Sequence, residues 1–295
     1  MIGNFLRRFC VIGLVALALM GVKPLYAQAK IDIVASFSIL GDIVKNVGGD
    51  RVSVTTLIGP NGDAHVFTPS PLDAKKIGDA RLVVVNGLGF EGWLPRLVNS
   101  AGGTAVIVTA TSALAPRERD AHADPHAWQS VLNAKIYVAN IRAALVAADP
   151  AGEAAYTANA DAYLARLDAL DREVRAAMAA IPVARRQVIS SHDAFGYFAA
   201  AYGVTFIAPQ GVSTEAEPSA RDIASIITQI KAAKIPAVFL ENISDPRLMR
   251  RISAETGAKI GGTLYSDSLT QENGDAPTYI DMVRHNIKAL TCALN

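Results

Sequence analysis

From Lys30 onward, short β-branched and apolar runs alternate with amphipathic stretches. Ile31–Ser36, Arg51–Ile58, Arg81–Asn86 and Ala105–Thr109 read as buried strands, and helical patterns at Ile39–Val47, Ser70–Ala80 and Trp93–Ala101 lie between them. The second half repeats the theme. Gln187–Ser190, Val204–Ile207, Ala237–Leu240 and Gly261–Tyr265 are strand candidates, separated by helical patterns at Ala194–Ala201, Ala220–Ala233 and Arg247–Thr256. Strand–helix alternation of this kind predicts mainly parallel sheets flanked by helices, an α/β fold in two lobes.

One long helical segment separates the halves, from Ala151 to Ile181, bracketed by Pro150 and Pro182. Tyr156, Tyr163, Leu167, Leu170, Val174 and Met178 fall on one stripe of it. At 1.5 Å per residue it is a rod about 45 Å long, enough to cross a whole domain and to resist hinge motion. The expected organisation is a leader at 1–29, an N-terminal lobe at 30–150, a linking helix at 151–181 and a C-terminal lobe at 182–295.

The leader changes the picture of where the chain works. Arg7 and Arg8 precede an apolar run from Cys10 to Val22, and Ala27 and Ala29 form an A-x-A pattern suited to signal peptidase. The run is short for a membrane span. Cleavage removes Arg7, Arg8 and Lys23 and takes the formal charge from +1 to −2. Cys10 sits too early in the leader to carry a lipid, so the expectation is a periplasmic protein, exported by a cleaved signal peptide, that is not a lipoprotein. Cys292 alone remains after cleavage, which excludes an internal disulfide. With 51% hydrophobic residues a large core must hold the fold, and no basic tract offers a nucleic-acid surface.

Chemistry concentrates where strands end. His65 follows the strand ending near Ile58, His126 stands in Asp124-Pro125-His126-Ala127-Trp128, and His192 follows Gln187–Ser190. Asp267, in Tyr265-Ser266-Asp267-Ser268-Leu269, follows the last strand candidate. Ligands gather at the carboxyl ends of strands in open α/β sheets. Three imidazoles and one carboxylate form an N3O set that suits zinc, and it also takes manganese or iron if the carboxylate binds through both oxygens. The intervals of 61, 66 and 75 residues match no compact zinc motif, and a lone histidine at a loop is more often a surface group than a ligand.

Longer motifs add weight. Gly59-Pro60-Asn61-Gly62-Asp63-Ala64-His65 with Thr68-Pro69-Ser70, the Asp124–Trp128 run, Ser191-His192-Asp193-Ala194-Phe195-Gly196-Tyr197-Phe198 and Ser213-Thr214-Glu215-Ala216-Glu217-Pro218 together resemble the zinc/manganese solute-binding proteins of ABC transporters, over essentially the whole exported chain. The resemblance implies two α/β lobes joined by a rigid helix, with a divalent transition metal held in the cleft and passed to an integral-membrane permease. It carries ligand roles onto His65, His126, His192 and Asp267, and supporting roles onto Glu217 and the Asp124–Pro125 step. Such a protein binds no dinucleotide or nucleic acid, acts as a monomer and is not an enzyme. Two departures pull in opposite directions on the metal. Only Asp120-Ala121-His122-Ala123 stands where zinc members carry a His-rich loop, whereas His192 stands where manganese members have glutamate. Zn2+ and Mn2+ both stay open, with Fe2+ ranked below them. Ala64 replaces the usual proline before the first histidine.

Two rivals remain: a periplasmic zinc hydrolase, which needs an open coordination position, and an adhesion module with incidental metal. Gly87-Leu88-Gly89-Phe90-Glu91-Gly92 matches G-x-G-x-x-G, but the next strand ends without an acid to hold a ribose. Ser191-His192-Asp193 has triad residue types, yet sequence neighbours cannot form the relay. His122 and His285 read as surface residues.

Overall fold

The computed structural model describes residues 29–119 and 122–295. The expected leader, Cys10 included, lies outside them apart from its last residue. Two four-stranded parallel sheets form the frame. The first contains β1 (Ile31–Phe37), β2 (Val52–Ile58), β3 (Leu82–Val85) and β4 (Val106–Thr109), in the order β2-β1-β3-β4. Helices α1 (Ser38–Gly48), α2 (Pro71–Asp79) and α3 (Leu94–Ala101) make the crossovers. All four residues of β3 are buried, as a central parallel strand covered on both faces requires. A two-residue antiparallel hairpin follows, β5 (Glu118–Arg119) with β6 (His122–Ala123).

The second sheet contains β7 (Gln187–Ile189), β8 (Thr205–Ile207), β9 (Ala237–Glu241) and β10 (Lys259–Leu264), in the order β10-β9-β7-β8. Its crossover helices are α6 (Gly196–Tyr202), α7 (Ala220–Ala233) and α8 (Arg247–Thr256). In each sheet the chain reverses its direction of travel beside the first strand, between β1 and β3 and between β7 and β9. Such switch points open a crevice at the carboxyl ends of the strands. The register of β10 shifts between Ile260 and Thr263, at Gly261 and Gly262. A Cβ on Gly261 would stand 2.6 Å from the Phe239 ring, so the sheet tolerates only glycine at that contact.

Between the sheets run α4 (Val131–Ala148) and α5 (Glu153–Ala180); α9 (Tyr279–Leu294) closes the chain. The 28 residues of α5 bury Tyr156, Ala160, Tyr163, Leu167, Leu170, Val174 and Met178, the stripe expected from the sequence. Pro150 opens a 3-10 turn just before it and Pro182 follows it. The helix packs on α1 and α4 from the first half and on α6 and α9 from the second. Salt bridges Lys135–Asp168 (2.6 Å) and Arg284–Glu173 (2.8 Å) tie it to α4 and α9.

One continuous apolar core runs through both halves, from Ile33 and Phe37 past Trp128 and Leu167 to Leu264 and Tyr279. A smaller core of Ile189, Ile226, Ile230, Val238, Met249 and Ile252 lies under α7 and α8. Tyr279 crosses between the halves: its N–H donates to Asp42 Oδ2 (2.9 Å) and its hydroxyl to the Trp128 carbonyl (2.7 Å).

Candidate metal centre

Each of the four sequence-selected residues sits on a loop that its own neighbours fix. After β2, Asp63 Oδ1 accepts from the His65 N–H (2.9 Å), and Asp63 Oδ2 accepts from Thr214 Oγ1 of the second half (2.6 Å). Trp93 Nε1 donates to the carbonyl of fully buried Ala64 (3.0 Å). This anchor holds the loop where a proline would otherwise stiffen it. The Phe90 ring packs edge-on against the His65 ring, centroids 4.9 Å apart.

Asp124 turns the next loop, accepting from the His126 N–H (3.0 Å) while the same Oδ1 lies 2.9 Å from His126 Nδ1. Beyond β7, the carboxylate of Glu241 accepts the N–H groups of Ser191 (2.7 Å) and His192 (3.0 Å) through Oε1. Its Oε2 lies 2.6 Å from His192 Nδ1. Beyond β10, the Ser266 carbonyl accepts from Trp128 Nε1 (2.8 Å) and Gln129 Nε2 (2.6 Å), which bolts the loop of Asp267 onto the first half.

These loops bring all four side chains together. One ligand-capable atom from each of His65, His126, His192 and Asp267 lies within 4.8 Å of all the others. His65 Nε2 is 3.3 Å from His126 Nε2 and 3.3 Å from Asp267 Oδ2. His192 Nε2 is 3.2 Å from Asp267 Oδ2, and His126 Nε2 is 3.7 Å from Oδ1. A tetrahedral cation with bonds of about 2.0–2.1 Å spaces its donors about 3.3 Å apart. Both oxygens of Asp267 and Nε2 of His192 are buried without a hydrogen-bond partner. Buried polar atoms left this way are rare, and the donor set fits a divalent transition metal.

The electrostatics agree. Burial disfavours the imidazolium of His126, but the charge of Asp267 and the contacts with Asp124 and Asp267 outweigh it and raise its pKa. Burial likewise works against charge on His192, and Glu241 and Asp267 together push its pKa well up. Asp267 is held well below the usual carboxylate range: burial opposes its charge, and the facing His126 and His192 more than offset that. The metal-free pocket therefore attracts positive charge at its centre.

Other expected features fall elsewhere. His122 is exposed on β6, beside a cavity of about 520 Å3 that reaches His65 and is also lined by Phe90, Arg119, Pro125 and Glu215. His285 is half-buried rather than superficial, 4.8 Å from the Tyr265 ring with Nε2 3.1 Å from the Thr263 carbonyl. Glu217 is exposed and lines a cavity together with Asp63 and Ser191, away from the imidazoles; Glu241 and Asp124 are the acids that touch the histidines. Glu241 went unseen in the sequence, although an acid closing the apolar run Ala237–Leu240 was a signal. The G-x-G-x-x-G loop is occupied by its own side chain. Buried Glu91 takes the N–H groups of Asn86 (2.7 Å) and Gly87 (3.1 Å), the donors a phosphate would need.

The chain is similar to known proteins along most of its length. The family model described as zinc-uptake complex component A, periplasmic, matches residues 33–293. The chain belongs to this family. The manganese-binding lipoprotein MntA of Halalkalibacterium halodurans is 37% identical, covering 89% of this chain and 88% of the relative. The iron-binding protein YfeA of Yersinia pestis is 35% identical over 91% of this chain and 88% of the relative. Among solved structures, the periplasmic zinc binding protein TroA from Treponema pallidum has a TM-score of 0.87 at 31% identity, covering 90% of this chain and 99% of that one. The Mn-bound periplasmic metal binding protein from candidatus liberibacter asiaticus has a TM-score of 0.82 at 31% identity, covering 90% and 100%.

These relatives correct one expectation. MntA is named a lipoprotein, which overturns the reading that the chain is not one. That reading inferred processing from the place of Cys10 relative to an apolar run, and such a placement does not fix where a leader is cut or whether it is acylated. The extracytoplasmic location itself is supported, since both the family and TroA are described as periplasmic.

Proposed function

We propose that the chain captures one divalent transition metal ion, zinc or manganese with iron ranked below them, through His65, His126, His192 and Asp267. It is the solute-binding component of a metal ABC transporter, not an enzyme, and its partner is the transporter's membrane permease. The observation that carries the ligand assignment is the convergence of four donor atoms within 4.8 Å of one another, with Asp267 Oδ1, Asp267 Oδ2 and His192 Nε2 buried and without any hydrogen-bond partner.

Binding is capture without chemistry. The first half supplies His65 and His126 and the second half His192 and Asp267, so the ion joins residues 30–150 to residues 182–295 across the helix at 151–181. A zinc hydrolase would keep a position open for water with three protein ligands, and here Asp267 supplies a fourth. We read the working unit as a monomer with no nucleic-acid role, in keeping with a formal charge of only +1.

Metal content of the purified protein by elemental mass spectrometry tests the reading. Competitive zinc and manganese titrations of the chelator-stripped protein should follow. One tightly bound ion per chain is expected, with the titrations ranking the two metals. Absence of stoichiometric metal at both stages would overturn it.

A further inference from the structure

Beyond the four proposed ligands, the geometry points to Glu241 as the residue that fixes which ring nitrogen of His192 faces the metal. This rests on the proposed function above. Glu241 ends β9, is 4% exposed and divides its two oxygens between two tasks. Oε1 is committed to the N–H groups of Ser191 (2.7 Å) and His192 (3.0 Å), so the backbone carrying the ring is registered against β9. Oε2 lies 2.6 Å from His192 Nδ1. Neither of these two atoms is in a well-aligned hydrogen bond, with each other or with any other group, and the His192 side chain is fully buried.

Two polar atoms at that distance would set lone pair against lone pair unless one of them carries a proton. With the proton on Nδ1, the lone pair of neutral His192 is on Nε2, the nitrogen 3.2 Å from Asp267 Oδ2. His126 Nδ1 is likewise faced by a carboxylate, Asp124 Oδ1, 2.9 Å away and in hydrogen-bond geometry. His65 has no carboxylate at its other nitrogen among the contacts of the described residues.

Glutamine at 241 cannot reproduce this. It has one oxygen and one NH2 group, whereas the site needs acceptors on both sides. If the oxygen stays on the two backbone N–H groups, the NH2 faces Nδ1. Nδ1 must then accept, the proton moves to Nε2, and the metal loses a ligand in its binding form. Glu241→Gln therefore attacks metal affinity while preserving volume and the backbone clasp.

The test measures zinc affinity by chelator competition at about pH 8 for the wild type, E241Q and E255Q, the last an exposed change on α8. Thermal melting of each metal-free form and a long-range 15N histidine spectrum of the zinc-loaded wild type complete it. Expected are a loss of about 10- to 100-fold in E241Q, no loss in E255Q, and similar metal-free melting. In the wild type, His192 should show zinc on Nε2 and a proton on Nδ1. E241Q affinity within twofold of the wild type, or zinc on Nδ1 of His192, would overturn the inference, as would an equal loss in E255Q. A large fall in metal-free melting with affinity retained would reduce Glu241 to a structural role and overturn it too. A wild type that binds no zinc would overturn the proposed function, and this inference with it.

Discussion

His126 lies at the site's centre, fully buried and faced by Asp124, Asp267 and His65. His126→Ala should lower zinc affinity by more than about 100-fold, beyond the range of losses seen when supporting residues are removed. His285→Ala should leave zinc affinity unchanged, because that ring packs on Tyr265 outside the cluster; isothermal titration of both variants checks the contrast. Protonation gives a second signature. The raised values of His126 and His192 stabilise the metal-free fold fully below the ordinary histidine value of about 6.5, and that contribution is lost as pH rises through the raised values. Metal binding needs the neutral rings, so it strengthens over the same interval. The melting-temperature gap between zinc-loaded and metal-free protein should therefore widen from about pH 6 to about pH 8, and a constant gap would count against the site. The four central residues were legible in the sequence because strand ends converge in this fold class. Glu241 was not, since only tertiary packing decides whether an acid at a strand end meets a histidine or water.

At the scale of elements, the parallel strands and α5 were legible because their apolar residues are periodic or continuous. Four residues limited the rest. Gly261 and Gly262 interrupt β10, and their meaning lies in the approach of Phe239, which no local pattern reveals. Lys135 and Arg142 sit in α4, where apolar residues otherwise cover almost every face and no stripe stands out. The sequence therefore showed a helix start at Asp124–Trp128 but no bounds for this 18-residue helix, although it buries Val131, Tyr137, Val138 and Ile141 against the shared core. Where the stripe was clear, its energetic weight can be measured. Leu167 is fully buried at the middle of α5, so Leu167→Ala should cost about 2–5 kcal/mol in denaturant unfolding. Ala165→Gly on the exposed face of the same helix should cost only about 1 kcal/mol. Equal costs would mean that α5 is held by its helix propensity and not by packing between the halves.

Whole-molecule motion is constrained on both sides of the cleft. Behind it, α5 packs on helices of both halves and the main core passes through without a break. In front, loops of the two halves are already joined around the site. Asp63 takes Thr214, Asn61 N–H donates to the Leu269 carbonyl (2.9 Å), and Leu269 N–H donates to Ser38 Oγ (2.9 Å). Trp128 and Gln129 hold the Ser266 carbonyl. A hinge would have to break these contacts and shear a packed core, and a single ion adds nothing to the hinge axis itself. Metal capture should therefore order loops without closing the lobes. Small-angle scattering should give the same radius of gyration, about 19 Å for a chain of this length, with and without zinc. Hydrogen exchange should slow on zinc binding in 59–70, 190–193 and 265–269 and stay level along α5. Contraction by several ångströms, or slowing spread through the helix, would show that the halves swing as rigid bodies and that α5 is a spring rather than a strut. The loop of His65 is the one to watch for release, because His65 is the most accessible of the four at 9% exposure and borders the cavity that leads outward.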